Sequence, residues 1–177
     1  MKYFNVFFAL LFSFSSAFWA GQSALQVKVS PEYKKWLDED VRWIITSQER
    51  KDFLRLTSDH DRNRFITAFW ERRNPNPRSV ENAFREEHYR RLAFANEHFA
   101  AGKAGFETDR GRIYVVYGPP DATMAHPATS ASGPDEVWLY HHMKGGGDEV
   151  RLKFVDDCYC GDYHLETPLP NDFWEMK

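Results

Sequence analysis

The chain has 177 residues, 42% hydrophobic and 28% charged, with a formal net charge of −3. That is the balance of a folded globular protein rather than a disordered one, at a size that suits one ordinary domain or two small ones. A mildly acidic total excludes a generic nucleic-acid binder, which carries a basic excess, and two cysteines exclude a disulfide-dense scaffold.

The N-terminus reads as an export signal over residues 1–20. Lys2 supplies a positive charge, and Phe4 to Phe14 is apolar apart from Asn5 and Ser13. Ser15-Ser16-Ala17 is a small-x-small pattern, so cleavage is expected after Ala17, with Ala20 as the second choice. No cysteine follows the apolar stretch, which argues against a lipid anchor. No later apolar run approaches the length of a membrane span, so no transmembrane segment is expected after signal removal. The expected location is the periplasm or the cell surface.

Residues 21–177 are expected to form one domain of α+β class. N-terminal helices (about 31–101) pack on a C-terminal, mainly antiparallel sheet of about four strands (about 112–167). Ser30-Pro31 starts a helix, with Trp36 and Leu37 on its apolar side; whether Val41–Ile45 continues it or is extended stays open. Thr46-Ser47-Gln48-Glu49 has capping-box spacing and predicts a short helix through Leu56. Thr57-Ser58-Asp59 opens another, with Phe65, Ile66, Phe69 and Trp70 on one face; Asn74-Pro75-Asn76-Pro77 ends it. A long helix is predicted from about Ser79 to Phe99, with Phe84, His88, Leu92, Ala95 and Phe99 along one stripe.

From Arg112 the spacing changes to period two. Arg112–Tyr117, Glu136–His142, Glu149–Val155 and Asp162–Thr167 are the predicted strands. Val150, Leu152 and Phe154 alternate with Arg151 and Lys153, which predicts a sheet with one wet face. Ala122–Pro134 reads as a small-residue loop. Gly145-Gly146-Gly147 reads as a hairpin turn; a strand follows it rather than a helix, so it is a poor phosphate cradle.

Cys158 and Cys160 stand two apart. On an extended strand their Cα atoms are about 6.5–7 Å apart, at the edge of disulfide reach. A turn could close the bridge; free thiols, pairing with another chain or a soft-metal site with His164 are the alternatives. The repeated Cys-x-x-Cys spacing of a zinc site is missing. His141 and His142 point to opposite strand faces and need the fold to bring in His126 or His164 before any metal is held. No metal and no cofactor is expected.

Charge is split along the chain. Residues 50–91 hold eleven basic and seven acidic side chains, and residues 135–177 hold four and ten. The plain reading is mutual attraction of helices and sheet, or solvated faces; the sharper one is a basic face for an anionic envelope partner.

The densest motifs lie between residues 69 and 138. They are Phe69-Trp70-Glu71-Arg72-Arg73, Glu87-His88-Tyr89-Arg90-Arg91, Ala95-Asn96, Gly105-Phe106-Glu107-Thr108-Asp109-Arg110-Gly111, Tyr117-Gly118-Pro119-Pro120-Asp121 and Glu136-Val137-Trp138. In this order they resemble the GWxTD-domain family of exported bacterial proteins, over about Pro31 to Thr167. Phe106 replaces the naming tryptophan, Asn74 replaces the usual acid, and the loop after Asp121 is short. The resemblance implies a location and no defined reaction.

Physically, Thr108-Asp109 entering a strand suits side-chain hydrogen bonds to backbone, and Arg90 or Arg91 are expected to clamp Asp109 or Asp121 across the helix–sheet boundary. Glu87 is also within i+4 reach of Arg91. If the network serves a ligand, the binding set is Arg90, Arg91, Phe106, Thr108, Asp109, Arg110 and Asp121. The preferred function is a non-catalytic module that binds an envelope protein or another cell-envelope component, with Trp43, Trp138 and Trp174 as candidate recognition aromatics. The alternative is a small hydrolase or transferase with an acid–base cluster of His88, Glu87 and Asp109. No Gly-x-Ser-x-Gly, His-Glu-x-x-His or phosphate loop accompanies it.

Overall fold

The computed structural model describes residues 29–130 and 132–166. The proposed signal segment, Trp174 and the predicted strand end at Thr167 lie outside the described residues. Five helices precede a four-stranded antiparallel sheet, so the α+β arrangement holds. Among the described residues, no helix is long and apolar enough to cross a membrane.

The first helix, α1 (Pro31–Lys35), starts on Pro31 and passes straight into a π-helical stretch, Trp36–Asp40. Ser30 precedes it without a side-chain cap. Val41–Ile45 is neither helix nor strand: the Ile44 and Ile45 N–H groups both bond back to the Val41 carbonyl, folding the chain into a buried turn. Helix α2 (Ser47–Arg55) has the predicted capping box, with Thr46 and Glu49 satisfying each other's N–H. Ser58 caps α3 (Asp59–Arg72) by accepting the Asp61 N–H. Trp36, Leu37, Val41, Phe53, Phe69 and Trp70 fill the helical core, with Trp36 edge-on to Phe69 at 5.3 Å.

Helix α4 (Ala83–His98) begins four residues later than the predicted start at Ser79. Asn82 takes the cap because its side chain accepts the Arg85 N–H and donates to the Trp70 carbonyl at 2.7 Å. His88, Leu92 and Ala95 are buried as the stripe requires, while Phe84 stays 36% exposed.

Arg112–Tyr117 is not a strand. It belongs to α5 (Asp109–Tyr117), capped by Thr108. A short apolar run satisfies a buried helix and a buried strand equally by periodicity, and here the cap and dense packing on both sides select the helix. The sheet regains its fourth strand from β1 (Ala122–His126), which lies inside the predicted loop. All five of its residues are exposed, so no buried face marks it in the sequence. It is aligned by Asp121, whose N–H bonds to the Leu139 carbonyl and whose carboxylate accepts the His141 N–H at 2.6 Å.

The sheet order is β1-β2-β3-β4, with β2 at Asp135–Met143, β3 at Gly147–Val155 and a two-residue β4 at His164–Leu165. The glycine run makes the β2–β3 hairpin, in register Met143↔Gly147 and Trp138↔Leu152. Trp138, Tyr140, Leu152 and Phe154 are buried against α4 and α5, while Arg151 and His141 face outward. A turn between β3 and β4 brings the Cys158 and Cys160 Cα atoms to 5.2 Å, and the two form a disulfide. Of the alternatives, the turn-closed bridge is the one the fold adopts.

The two cores share Tyr89 at their boundary. Ion pairs of the basic helical segment stay among the helices: Arg50 with Asp38, Arg72 and Arg73 with Glu49, and Arg90 and Arg91 with Glu87. Burial by itself would raise the Glu49 carboxyl, but hydrogen bonds from Arg73, the Thr46 N–H and Arg72 outweigh it and bring it to about 2. Such a group contributes stability above the ordinary carboxylate range and loses it as pH falls, on the order of 2–3 kcal/mol in all. Glu49→Gln is expected to cost about that much at neutral pH and to flatten the loss of stability between about pH 5 and pH 2. Urea denaturation across that range reads both; an unchanged acid slope would count against the linkage.

Candidate functional site

The motif segment is a packing knot. A 3-10 turn, Gly105–Glu107, lies directly on α4, and α5 lies directly on that turn. A Cβ at Gly105 would overlap the Ala95 carbonyl, and one at Gly111 would overlap the Gly105 carbonyl. Only glycine permits both approaches. Thr108, 2% exposed, donates its hydroxyl to the Gly105 carbonyl at 2.7 Å and accepts the Gly111 N–H at 3.0 Å. Phe106 is buried; its N–H bonds to Asn96 and its carbonyl accepts the Trp43 indole N–H at 2.8 Å.

Asp109 and Arg110 tie the start of α5 to the sheet. The Asp109 carboxylate accepts the Leu165 N–H at 2.8 Å and pairs with Arg112 at 3.4 Å. Arg110 bonds to Glu136 at 2.9 Å and to the Gly161 carbonyl at 3.2 Å, with its guanidinium 4.0 Å from the centre of the Tyr163 ring. The second oxygen of Glu136 accepts the Trp138 indole N–H at 2.7 Å. Trp138 is thus a core residue rather than a recognition aromatic, and Trp43 is half-buried in the seam.

The expected clamp between Arg90 or Arg91 and Asp109 or Asp121 does not form. Both arginines pair with Glu87 one turn earlier on their own helix, and Arg91 also reaches the Val116 carbonyl. Val116 and Asp109 stand seven residues apart on α5, about 10 Å along its axis. Asp109 therefore sits at the wrong end of the helix for either arginine, and Asp121 is committed to β2. The premise that Asp109 opens a strand fails with the clamp.

The acid–base trio is not assembled either. His88 is 3% exposed and donates from Nε2 to the Asp40 carbonyl at 2.6 Å, between the rings of Trp70 and Phe84. Burial lowers its pKa, so the ring is neutral and serves as a strut. The Arg91 hydrogen bond holds the Glu87 carboxyl below its usual range. Asp109 belongs to the far end of α5. The four histidines considered as metal ligands are divided among separate carboxylates: His126 with Asp135, His141 with Glu149, His142 with Asp148 and His164 with Asp157.

A cleft opens between α4, the C-terminal end of α5 and the β2–β3 hairpin. Its larger compartment is about 350 Å³. Ile44, Phe84, Val116, Tyr117 and Met143 give it apolar walls; Lys144 stands at its rim, with Arg73, held by Glu49, and His142, held by Asp148. A second compartment of about 280 Å³ shares Phe84 and Val116 and adds Glu87, His88 and Arg91. Burial pushes the Tyr117 phenol up to about 12, so it remains a hydroxyl. Two wider hollows of about 740 Å³ lie along α3 beside Glu71, and neither reaches Gly105–Gly111. Of the residues named from sequence as binding, Arg91 alone borders the cleft. Phe84 was legible as part of the helix stripe; Met143 and Lys144 come from the hairpin, and nothing local marks them.

Residues 19–165 match the family model of the GWxTD domain. No curated protein and no solved structure matches the chain.

Thr108→Val keeps the shape of the knot and removes both hydrogen bonds. It is expected to lower stability by about 1–3 kcal/mol in chemical denaturation, with Thr108→Ser losing less. A larger loss in Thr108→Ser than in Thr108→Val would show that the methyl group, not the hydroxyl, carries the effect.

Proposed function

The chain belongs to the GWxTD-domain family, and from that starting point we propose that it is an exported module, periplasmic or cell-surface, that binds a protein of the cell envelope without transforming it. The observation that carries this reading is the two-compartment cleft along the seam, with uncovered Phe84 at its centre. Concave apolar surface with a few convergent polar groups is the usual form of a binding site.

The titratable groups around it are suited to holding rather than reacting. His88 is neutral and engaged by a backbone carbonyl, Glu87 is ion-paired, and Tyr117 stays protonated. The walls fit an apolar side chain, and Lys144 at the rim fits a neighbouring carboxylate, while Arg73 stays bound to Glu49. The basic excess of residues 50–91 favours the same kind of partner. The apolar N-terminal segment supports export.

Photo-crosslinking tests this. With benzoylphenylalanine in place of Phe84, irradiation of an envelope fraction should give a discrete adduct, and Lys144→Glu in the same chain should reduce its yield about tenfold. The same probe at fully exposed Val80 is the control. Equal yields at both positions, or no effect of the lysine change, would overturn the proposal.

A further inference from the structure

The turn between β3 and β4 holds a cluster that the binding role does not use. The Cys158–Cys160 bridge spans a single intervening residue. Stabilisation by a disulfide shrinks as the loop it closes shortens, so this one, closing a single residue, contributes little to the fold. The neighbouring chain is held by other means: Arg110 on the Gly161 carbonyl, Lys103 on Asp162 and Asp109 on the Leu165 N–H. Both cysteines are exposed, and Tyr159 between them is 63% exposed. An incoming thiolate can reach the sulfurs from solvent.

Two features favour the opened form. Asp156 is 3% exposed, and its carboxylate accepts the N–H groups of Cys160 at 3.1 Å and Gly161 at 2.8 Å. The same carboxylate lies 3.2 Å from the Cys158 sulfur. In the disulfide that sulfur carries no hydrogen, so the contact joins an acceptor to a sulfur with nothing to donate. In the dithiol, the Cys158 S–H points a donor at a buried anion, a hydrogen bond that only the reduced state has. Tyr159, meanwhile, sits at φ +55°, a left-handed conformation that disfavours a bulky side chain and that an opened ring can relax.

We propose that Cys158-Tyr159-Cys160 is a thiol–disulfide exchange site that oxidises a dithiol substrate. A substrate thiolate attacks the Cys160 sulfur, away from the Asp156 charge. The S–S bond breaks with its electron pair on Cys158, which takes up a proton and donates it to Asp156 as a hydrogen bond. The second substrate thiolate attacks the substrate sulfur of the mixed disulfide and releases Cys160, which is protonated in turn. Two electrons and two protons pass from the substrate dithiol to the protein, and the substrate leaves as a disulfide. This activity is independent of the cleft.

The test equilibrates the purified protein in glutathione mixtures, traps thiols with a maleimide and counts them by mass. The bridge should be half reduced at [GSH]²/[GSSG] on the order of 1–100 mM, as for known exchange catalysts, while tryptophan fluorescence reports an intact fold. Asp156→Asn should shift that midpoint about tenfold toward the disulfide. Tyr159→Asn, a surface change that tolerates positive φ, should shift it about threefold the same way. The oxidised protein should convert a dithiol peptide to its disulfide, and Cys160→Ser should abolish this. A bridge that resists glutathione until the chain unfolds, a midpoint unmoved by both variants, or a peptide left reduced would each overturn the proposal.

Discussion

Two places where the backbone leaves no room for a Cβ set the geometry of the molecule. Gly105 rests on the Ala95 carbonyl of α4, and Gly111 rests on the Gly105 carbonyl. Because the two approaches are stacked, the axis of α5 is fixed relative to α4. Thr108 holds the stack closed from inside, where a lost hydrogen bond has no water to replace it. Once α5 is placed, Asp109 and Arg110 are aimed at β4, Glu136 and Gly161, so the sheet is oriented by the same knot.

The helical lobe is attached differently. Its links to the rest run through backbone carbonyls at the seam: His88 to Asp40, Trp43 to Phe106 and Asn82 to Trp70. Tyr89 packs in both cores, and Arg42 meets Glu107 at the surface. A carbonyl fixes its donor by direction without adding a charge to the seam. That is how a buried histidine in a motif-rich segment becomes a strut instead of a base. Where the lobes diverge, Phe84 is left exposed and Val116 only partly covered, and the cleft is the space between the lobes.

The arginines of α4 illustrate why proximity in a motif does not imply contact in space. Glu87 is one helical turn from Arg90 and Arg91, a distance set by the helix itself, whereas Asp109 must be delivered by packing. The near partner captures both arginines, and the distant acid finds a backbone N–H instead. The turn at residues 156–161 is likewise a product of packing. A buried carboxylate gathers two N–H groups and brings the cysteines close enough to bond, which their spacing on an extended strand discourages.

Much of the fold was legible locally. The capping box at Thr46–Glu49, the Ser58 cap, the stripe through His88, Leu92 and Ala95 and the glycine hairpin all depend on neighbours within a few residues, so the sequence by itself determined them. It also carried the family, because the motifs that identify it follow one another along the chain. Tertiary structure alone decided that Ile113–Tyr117 is helical, that exposed Ala122–His126 pairs as a strand, and which residues face the cleft. A short apolar run fits two periodicities until something packs on it, and a strand with no buried face has no pattern to read. The cleft draws its walls from Ile44, Phe84, Val116 and Met143, positions far apart in sequence, and only the close stacking of α4, the 3-10 turn and α5 brings them to one place.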